Sequence, residues 1–219
     1  SKKFENKFNK KTLYEFINKK FIESKPSYFA LSLNGKNIMK FFNSDYMTKI
    51  IIPFLIKKKL PLMLLTGVKR SVNSTFRDGG DGIGDEKIDF LENIIKKYKK
   101  INFLVTHLSD VSQYKLIVLS RKLPNLTLFG FWWFLNQDNY VKKYLKVKIS
   151  LLGYNFIAQH SDARVFEHLI YKWSDFKDNL AEVMFEKYKK LQDAGYDLNT
   201  SQVQKDMNLL LNENSNRFI

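Results

Sequence analysis

Asp162 and Arg164 have the types and the spacing for proton transfer beside anion binding. They follow the apolar run Asn155-Phe156-Ile157-Ala158 and the polar residues His160 and Ser161. They precede Val165, Phe166, Leu169, Ile170 and Trp173, which recur at helical spacing. A short buried strand that ends in an acid and a guanidinium and turns into a helix is a strand–loop–helix unit. In parallel α/β proteins such strand ends carry the reactive groups. A carboxylate there can move a proton, and a guanidinium can grip a carboxylate or a sugar oxygen. The same residues also suit a plain structural role, in which Asp162 caps the helix and pairs with Arg164, because helix starts favour Asp and Ser.

Other candidates lie at comparable places. Lys69 and Arg70 follow the apolar residues 61–67, where they either bind an anion or form an ordinary surface pair. His107 and His160 each end an apolar run, which makes them a conceivable metal pair, although no His-x-His or His-Glu-x-x-His occurs. His168, on the following helix, reads as structural. Residues 129–134 are five aromatics and Gly130. On a strand, Trp132 and Trp133 point to opposite faces, one into the core and one onto a pocket wall. The glycine-rich residues 77–85 lack the Lys-Ser/Thr of a phosphate loop and the Glu of a calcium loop, so they read as a flexible loop above a sheet.

The elements that must position these residues follow a rhythm. A basic amphipathic helix over residues 1–25 stops at Pro26. Residues 28–33 read as a strand and Asn34-Gly35 as a turn. Ser44-Asp45 caps a helix that ends near Lys59. Strands are expected at 61–67, 101–108, 126–133 and from Phe156. Helices alternate with them, one capped by Asp85 and others at 111–122 and about 140–152. Two further helices follow at 176–192, with Gly195 as its stop, and 201–211, capped by Thr200. The polar tail 212–219 reads as loose, with Phe218 and Ile219 able to tuck in. Unbroken apolar strands alternating with helices predict a parallel sheet of about five strands covered on both faces.

Composition bounds the rest. The 219 residues are 44% hydrophobic and 15% aromatic, enough for a packed core. No apolar run is long enough to span a membrane. There are no cysteines, which fits a reducing compartment, and a cytoplasmic location is expected. The net charge of +15 would suit a polyanion partner, but the lysines are spread along polar helix faces, so a solvated surface is expected rather than a nucleic-acid groove.

Several stretches together carry a resemblance. Residues 65–73 (LTGVKRSVN), 103–106 (FLVT), 130–134 (GFWWF), 159–165 (QHSDARV) and 169–173 (LIYKW) resemble, in this order, the uronate isomerase (glucuronate isomerase) family. The likeness runs from about Pro61 to the C-terminus and corresponds to the C-terminal half of a family member. It implies a (β/α)8 barrel of the amidohydrolase superfamily that interconverts D-glucuronate or D-galacturonate with fructuronate or tagaturonate. The family's divalent metal, zinc, is held by a His-x-His after the first strand and an Asp after the last. By this resemblance Asp162 is that Asp, as metal ligand or general base, and Arg164 is the catalytic partner that holds substrate oxygen. Trp132, Arg70 and His160 contact the substrate. Most metal ligands are then absent from this chain, and about five strands cannot close a barrel of eight.

The expected layout is an N-terminal helical segment (1–27), a partial barrel with the last strands (28–175) and C-terminal helices of the same domain (176–219). Ser1 in place of Met makes a fragment of a longer protein the first expectation. A separate N-terminal half or homo-oligomer partner and a degenerate half are the others. An inactive or hydrolytic relative of the superfamily and a basic nucleic-acid binder are the rival functions.

Overall fold

The computed structural model describes residues 9–32, 35–84 and 88–219. The expected strand end at Leu33, the turn residue Asn34, the helix cap Asp85 and residues 1–8 of the N-terminal segment lie outside them. Six strands form among the described residues: β1 (Phe29–Ser32), β2 (Leu62–Thr66), β3 (Val68–Lys69), β4 (Gly82–Ile83), β5 (Phe103–His107) and β6 (Leu126–Leu128). β1, β2, β5 and β6 make one parallel sheet in the order β1–β2–β5–β6. The helices are α1 (Lys10–Ser24), α2 (Gly35–Phe42), α3 (Ile52–Lys58), α4 (Asp89–Lys97), α5 (Gln113–Lys122), α6 (Asp138–Leu152), α7 (Phe166–Asp193), α8 (Thr200–Asn208) and α9 (Asn214–Phe218).

Strand alternation sorts the apolar side chains into two layers. Leu62, Leu64, Phe103, Val105, Leu126 and Leu128 pack with Leu91, Ile94, Leu116, Leu145 and Leu180 of the helices. Met63, Leu104, Phe129 and Ile157 form a second cluster on the opposite face, covered in part by Phe218 of α9. A sheet apolar on both faces needs cover on both, which is why its strands read as unbroken apolar runs. All five residues of β5 are buried.

The structure corrects several expectations. The third run is a strand only to Leu128; Gly130 then turns at φ 57° and Trp133 opens a short 3-10 turn at φ 44°. The expected fifth strand is a single parallel bridge, Phe129 to Ile157, because the turn at Gly130 carries the chain away. The sheet therefore stays open, and no closed barrel forms among the described residues. The glycine-rich segment is not a free loop. β3 and β4 pair antiparallel as a hairpin, and the Ser74–Gly80 turn closes it. The helix after Arg164 and the one expected at 176–192 are one 28-residue helix, α7, with no Gly or Pro to divide it. Asn199, not Thr200, caps α8, its side chain accepting from the Gln202 amide.

The tail is helical rather than loose. The Asn214 amide donates to the carbonyl oxygens of Tyr154 and Phe156. Buried Asp206 accepts from the hydroxyls of Tyr154 at 2.9 Å and Tyr188 at 2.8 Å. These bonds tie α8 and α9 to the stretch leading into the Ile157 bridge. No helix among the described residues is long and apolar enough to cross a membrane.

Candidate active site

The polar residues of interest meet where the parallel strands end. Ser32 closes β1, Arg70 follows β3, and Asp162 follows the Ile157 bridge. Asp81, just before β4, is a buried carboxylate. One of its oxygens accepts from the Arg70 guanidinium and the other from the Ser71 amide at 2.8 Å. The second guanidinium nitrogen of Arg70 donates to Ser32 Oγ at 3.2 Å. The Ser71 amide and the Arg70 guanidinium hold the Asp81 carboxyl below the usual carboxylate range, and the charge of Arg164 adds to this. One arginine thus grips a buried carboxylate, and the charge of a second stabilises it from farther off. Arg70, about half exposed, can still offer donors outward.

Asp162 is exposed and stands at φ 44°, a backbone conformation that a non-glycine residue occupies at a cost. Its Oδ2 accepts from the indole Nε1 of Trp132 at 2.8 Å. Trp132 itself is buried against Val68 and Leu108, so a rigid aromatic fixes the carboxylate. The capping role for Asp162 is not what forms: α7 starts at Phe166, and Val165 caps it without a side-chain bond. Arg164 is exposed, its amide donating to His168 Nδ1 at 3.4 Å, and its charge reaches Asp81. Trp132 holds the Asp162 carboxylate.

His160 is a wall rather than an outward group. Its ring lies 4.9 Å from Phe129, and a Cβ on Gly130 would come within 2.2 Å of its Cδ2. Burial lowers its pKa to about 4, so it is neutral at neutral pH. Its Nε2 is sealed in without a hydrogen-bond partner. His107 belongs to the other layer: it shares the helix-facing side of β5 with Phe103 and Val105, bonds Thr66 Oγ1 at 2.8 Å, and is held near pKa 4 by burial. The two histidines therefore do not form a metal pair. Trp132 and Trp133 do not alternate on a strand. Trp132 faces Asp162, while Trp133 stacks on Phe134 and lines a separate cleft of about 700 Å³ with Tyr171 and Lys172.

A divalent metal fits poorly on these residues alone. Among the described residues no group of three His, Cys, Asp or Glu could hold one. Asp162, with one oxygen already bonded to Trp132, would be a single ligand completed by donors from elsewhere.

Sequence reasoning missed Asp81, Ser32 and Lys148. Asp81 lies in a hairpin whose two-residue strands are too short for any periodic signal. Lys148 was legible, because it falls on the apolar stripe of Val141, Tyr144, Leu145 and Ile149.

The fold and site define the class: a parallel α/β protein whose polar cluster sits at the carboxyl ends of its strands, the place where such proteins bind and react. Over 97% of its length the chain matches the structure of a uronate isomerase from Bacillus halodurans C-125, at 32% identity and a TM-score of 0.89, covering 52% of that chain. In sequence and fold it is similar to that uronate isomerase, and it spans about half the length of that relative. A uronate isomerase from Thermotoga maritima (17% identity, TM-score 0.69, covering 80% of this chain and 41% of that one) and a glucuronate isomerase from Caulobacter crescentus (14%, 0.72, 95% and 50%) share the fold. No family model matches the sequence, and no curated protein matches it at a significant level.

Proposed function

We propose that this chain supplies the carboxylate-and-guanidinium side of a uronate isomerase site, acting on D-glucuronate or D-galacturonate. The observation that carries the reading is Asp162, held by the buried Trp132 at the strand ends and followed two residues later by Arg164. The similarity to that uronate isomerase supports it. In the open-chain sugar, Asp162 takes the proton from C2 and returns it to C1 through an enediol. The O2 proton moves to O1, so aldehyde becomes alcohol and C2 becomes the ketone, with no atom gained or lost. Arg164 and Arg70 hold substrate oxygens or the carboxylate, because a planar fork matches that group. Trp132 keeps Asp162 aimed. His160 bounds the pocket as a neutral ring.

Zinc or another divalent ion would polarise the sugar carbonyl when bound, with Asp162 as one ligand. The remaining donors, and the strands that would close a barrel, would come from a further polypeptide segment or a second subunit. The chain is tested alone and mixed with a polypeptide corresponding to the other half of the Bacillus halodurans relative, with glucuronate as substrate. Formation of fructuronate that Asp162→Asn abolishes supports the proposal. Turnover that survives Asp162→Asn refutes the role of Asp162, and absence of turnover in every mixture refutes the isomerase reading.

A further inference from the structure

Lys148 sits on the face of α6 that packs against the sheet and is 2% exposed. No carboxylate meets it among the described residues. Its amine donates to the Gly130 carbonyl at 3.2 Å and stands 4.1 Å from the Phe131 ring centroid and 5.6 Å from that of Phe156. Lys148 also lines a cavity of about 10 Å³ with Thr106, His107, Gln113, Phe129 and Gly130. That is room for about one water molecule.

His107 reaches the same cavity from β5. It is 1% exposed, and its Nε2 has no hydrogen-bond partner. Thr66 Oγ1 lies 3.3 Å from the Thr106 carbonyl and 2.8 Å from His107 Nδ1. A hydroxyl has one proton. Donated to Thr106, it leaves Oγ1 to accept from Nδ1–H, and Nε2 then carries a lone pair. A buried amine with hydrogens to spare and a buried acceptor therefore line one water-sized space. Buried polar groups are rarely left unbonded.

The Gly130 carbonyl joins this cluster to the strand-end site. Gly130 N donates to Ile157 O at 2.9 Å, and Phe131 N donates to Gln159 Oε1 at 2.9 Å. Two residues beyond Gly130, the Trp132 indole donates to Asp162. The turn thus lies between the amine on one side and the His160 ring and Asp162 on the other.

We propose that Lys148 is a positioning residue: by holding the Gly130 carbonyl, and by sharing one enclosed water with His107, it fixes the turn that aims the Trp132 indole at Asp162. Its meaning for catalysis rests on the isomerase reading of that site, but the geometry does not. The titratable groups around Lys148 are His107 from β5 and His160, whose charging Lys148 opposes; Gln113 from α5 is neutral. The amine, held near pKa 7 by burial, makes the linkage responsive around neutral pH.

The test follows the Trp132 indole N–H by ¹⁵N NMR in the complete chain. In Lys148→Met its exchange should be roughly tenfold faster, the loss of about one hydrogen bond's worth of protection, without a lower unfolding midpoint at pH 7. Unchanged exchange, or acceleration that only tracks lost global stability, overturns the proposal. A variant that fails to fold leaves the unaltered protein to decide. There the indole resonance should shift with pH together with the Lys148 side-chain signals, and His107 should be protonated at Nδ1 with Nε2 bonded to an ordered water. An indole indifferent to that titration, or a His107 protonated at Nε2, also overturns it. None of these readouts needs turnover, so failure here and failure of the isomerase reading are told apart.

Discussion

Replacing Lys148 by methionine should make the protein more stable at neutral pH, and the gain should vanish in alkali. An unfolded lysine keeps its proton to about pH 10.5, whereas burial lets the folded Lys148 release it near 7. Between those values unfolding takes up a proton, so this group makes stability rise with pH across that window. Below pH 7 its contribution is flat and at its least favourable. Each pH unit of displacement corresponds to about 1.4 kcal/mol, so the full burial penalty is about 5 kcal/mol. The bond to Gly130 O and the contact with Phe131 each return about 1 kcal/mol. Methionine has nearly the same length and fills the site without a charge. The expected gain is therefore about 2–4 kcal/mol at pH 7, shrinking to nothing or to a small loss near pH 10.5. Urea unfolding of both proteins, followed by tryptophan fluorescence at intervals from pH 6.5 to 10.5, measures it. A variant no more stable than the parent at pH 7, or two proteins with the same pH slope, would refute the reasoning.

Gly130→Ala should cost about 2–4 kcal/mol, because the new Cβ would lie 2.2 Å from His160 Cδ2 at a backbone φ of 57°; a melting point within a degree of the parent would contradict it. Asp206→Ala should cost about 2–4 kcal/mol by stranding the Tyr154 and Tyr188 hydroxyls, as read by urea unfolding. His107 stays neutral in the fold to about pH 4, while the unfolded histidine takes a proton near 6.5. Its contribution is therefore present above 6.5 and lost as pH falls toward 4, and unfolding at pH 5 should bind a proton that His107→Phe no longer binds. In any assembly that isomerises a uronate, Asp162→Asn should lower turnover by roughly a thousandfold with the fold intact by circular dichroism. Arg164→Lys should chiefly raise KM, because a bidentate fork is lost.

The layering of the fold was legible because strand burial leaves continuous apolar runs. The runs at 28–33, 61–67 and 101–108 held as β1, β2 and β5, and the helical stripe of residues 88–98 held as α4. Where the reading slipped, local pattern lost to backbone geometry. Residues 126–133 look like one strand, yet the positive φ of Gly130 ends it early, and apolarity alone does not encode that turn. The break assumed before Phe176 had no Gly or Pro behind it, so the helix continued. At the site, Asp162 and Arg164 were legible as the polar end of an apolar run, whereas the bond from Trp132 to Asp162 depends on the Gly130 turn, which that pattern does not encode. The Asp81 grip on Arg70 depends on a hairpin joining residues 11 apart, and no periodicity announces it. Lys148 was visible as a cation on an apolar stripe, the same mark a snorkelling surface lysine leaves.

The position of α9 has a consequence for biosynthesis. Asn214, which clasps the Phe156 carbonyl, lies 58 residues farther along the chain, and Phe218 follows it onto the second apolar face of the sheet. At ordinary translation speeds the ribosome needs roughly 3–12 s to cross that interval. Met63, Leu104 and Phe129 lack that cover for that time, and a nascent chain stalled before Asn214 presents them as a sticky surface.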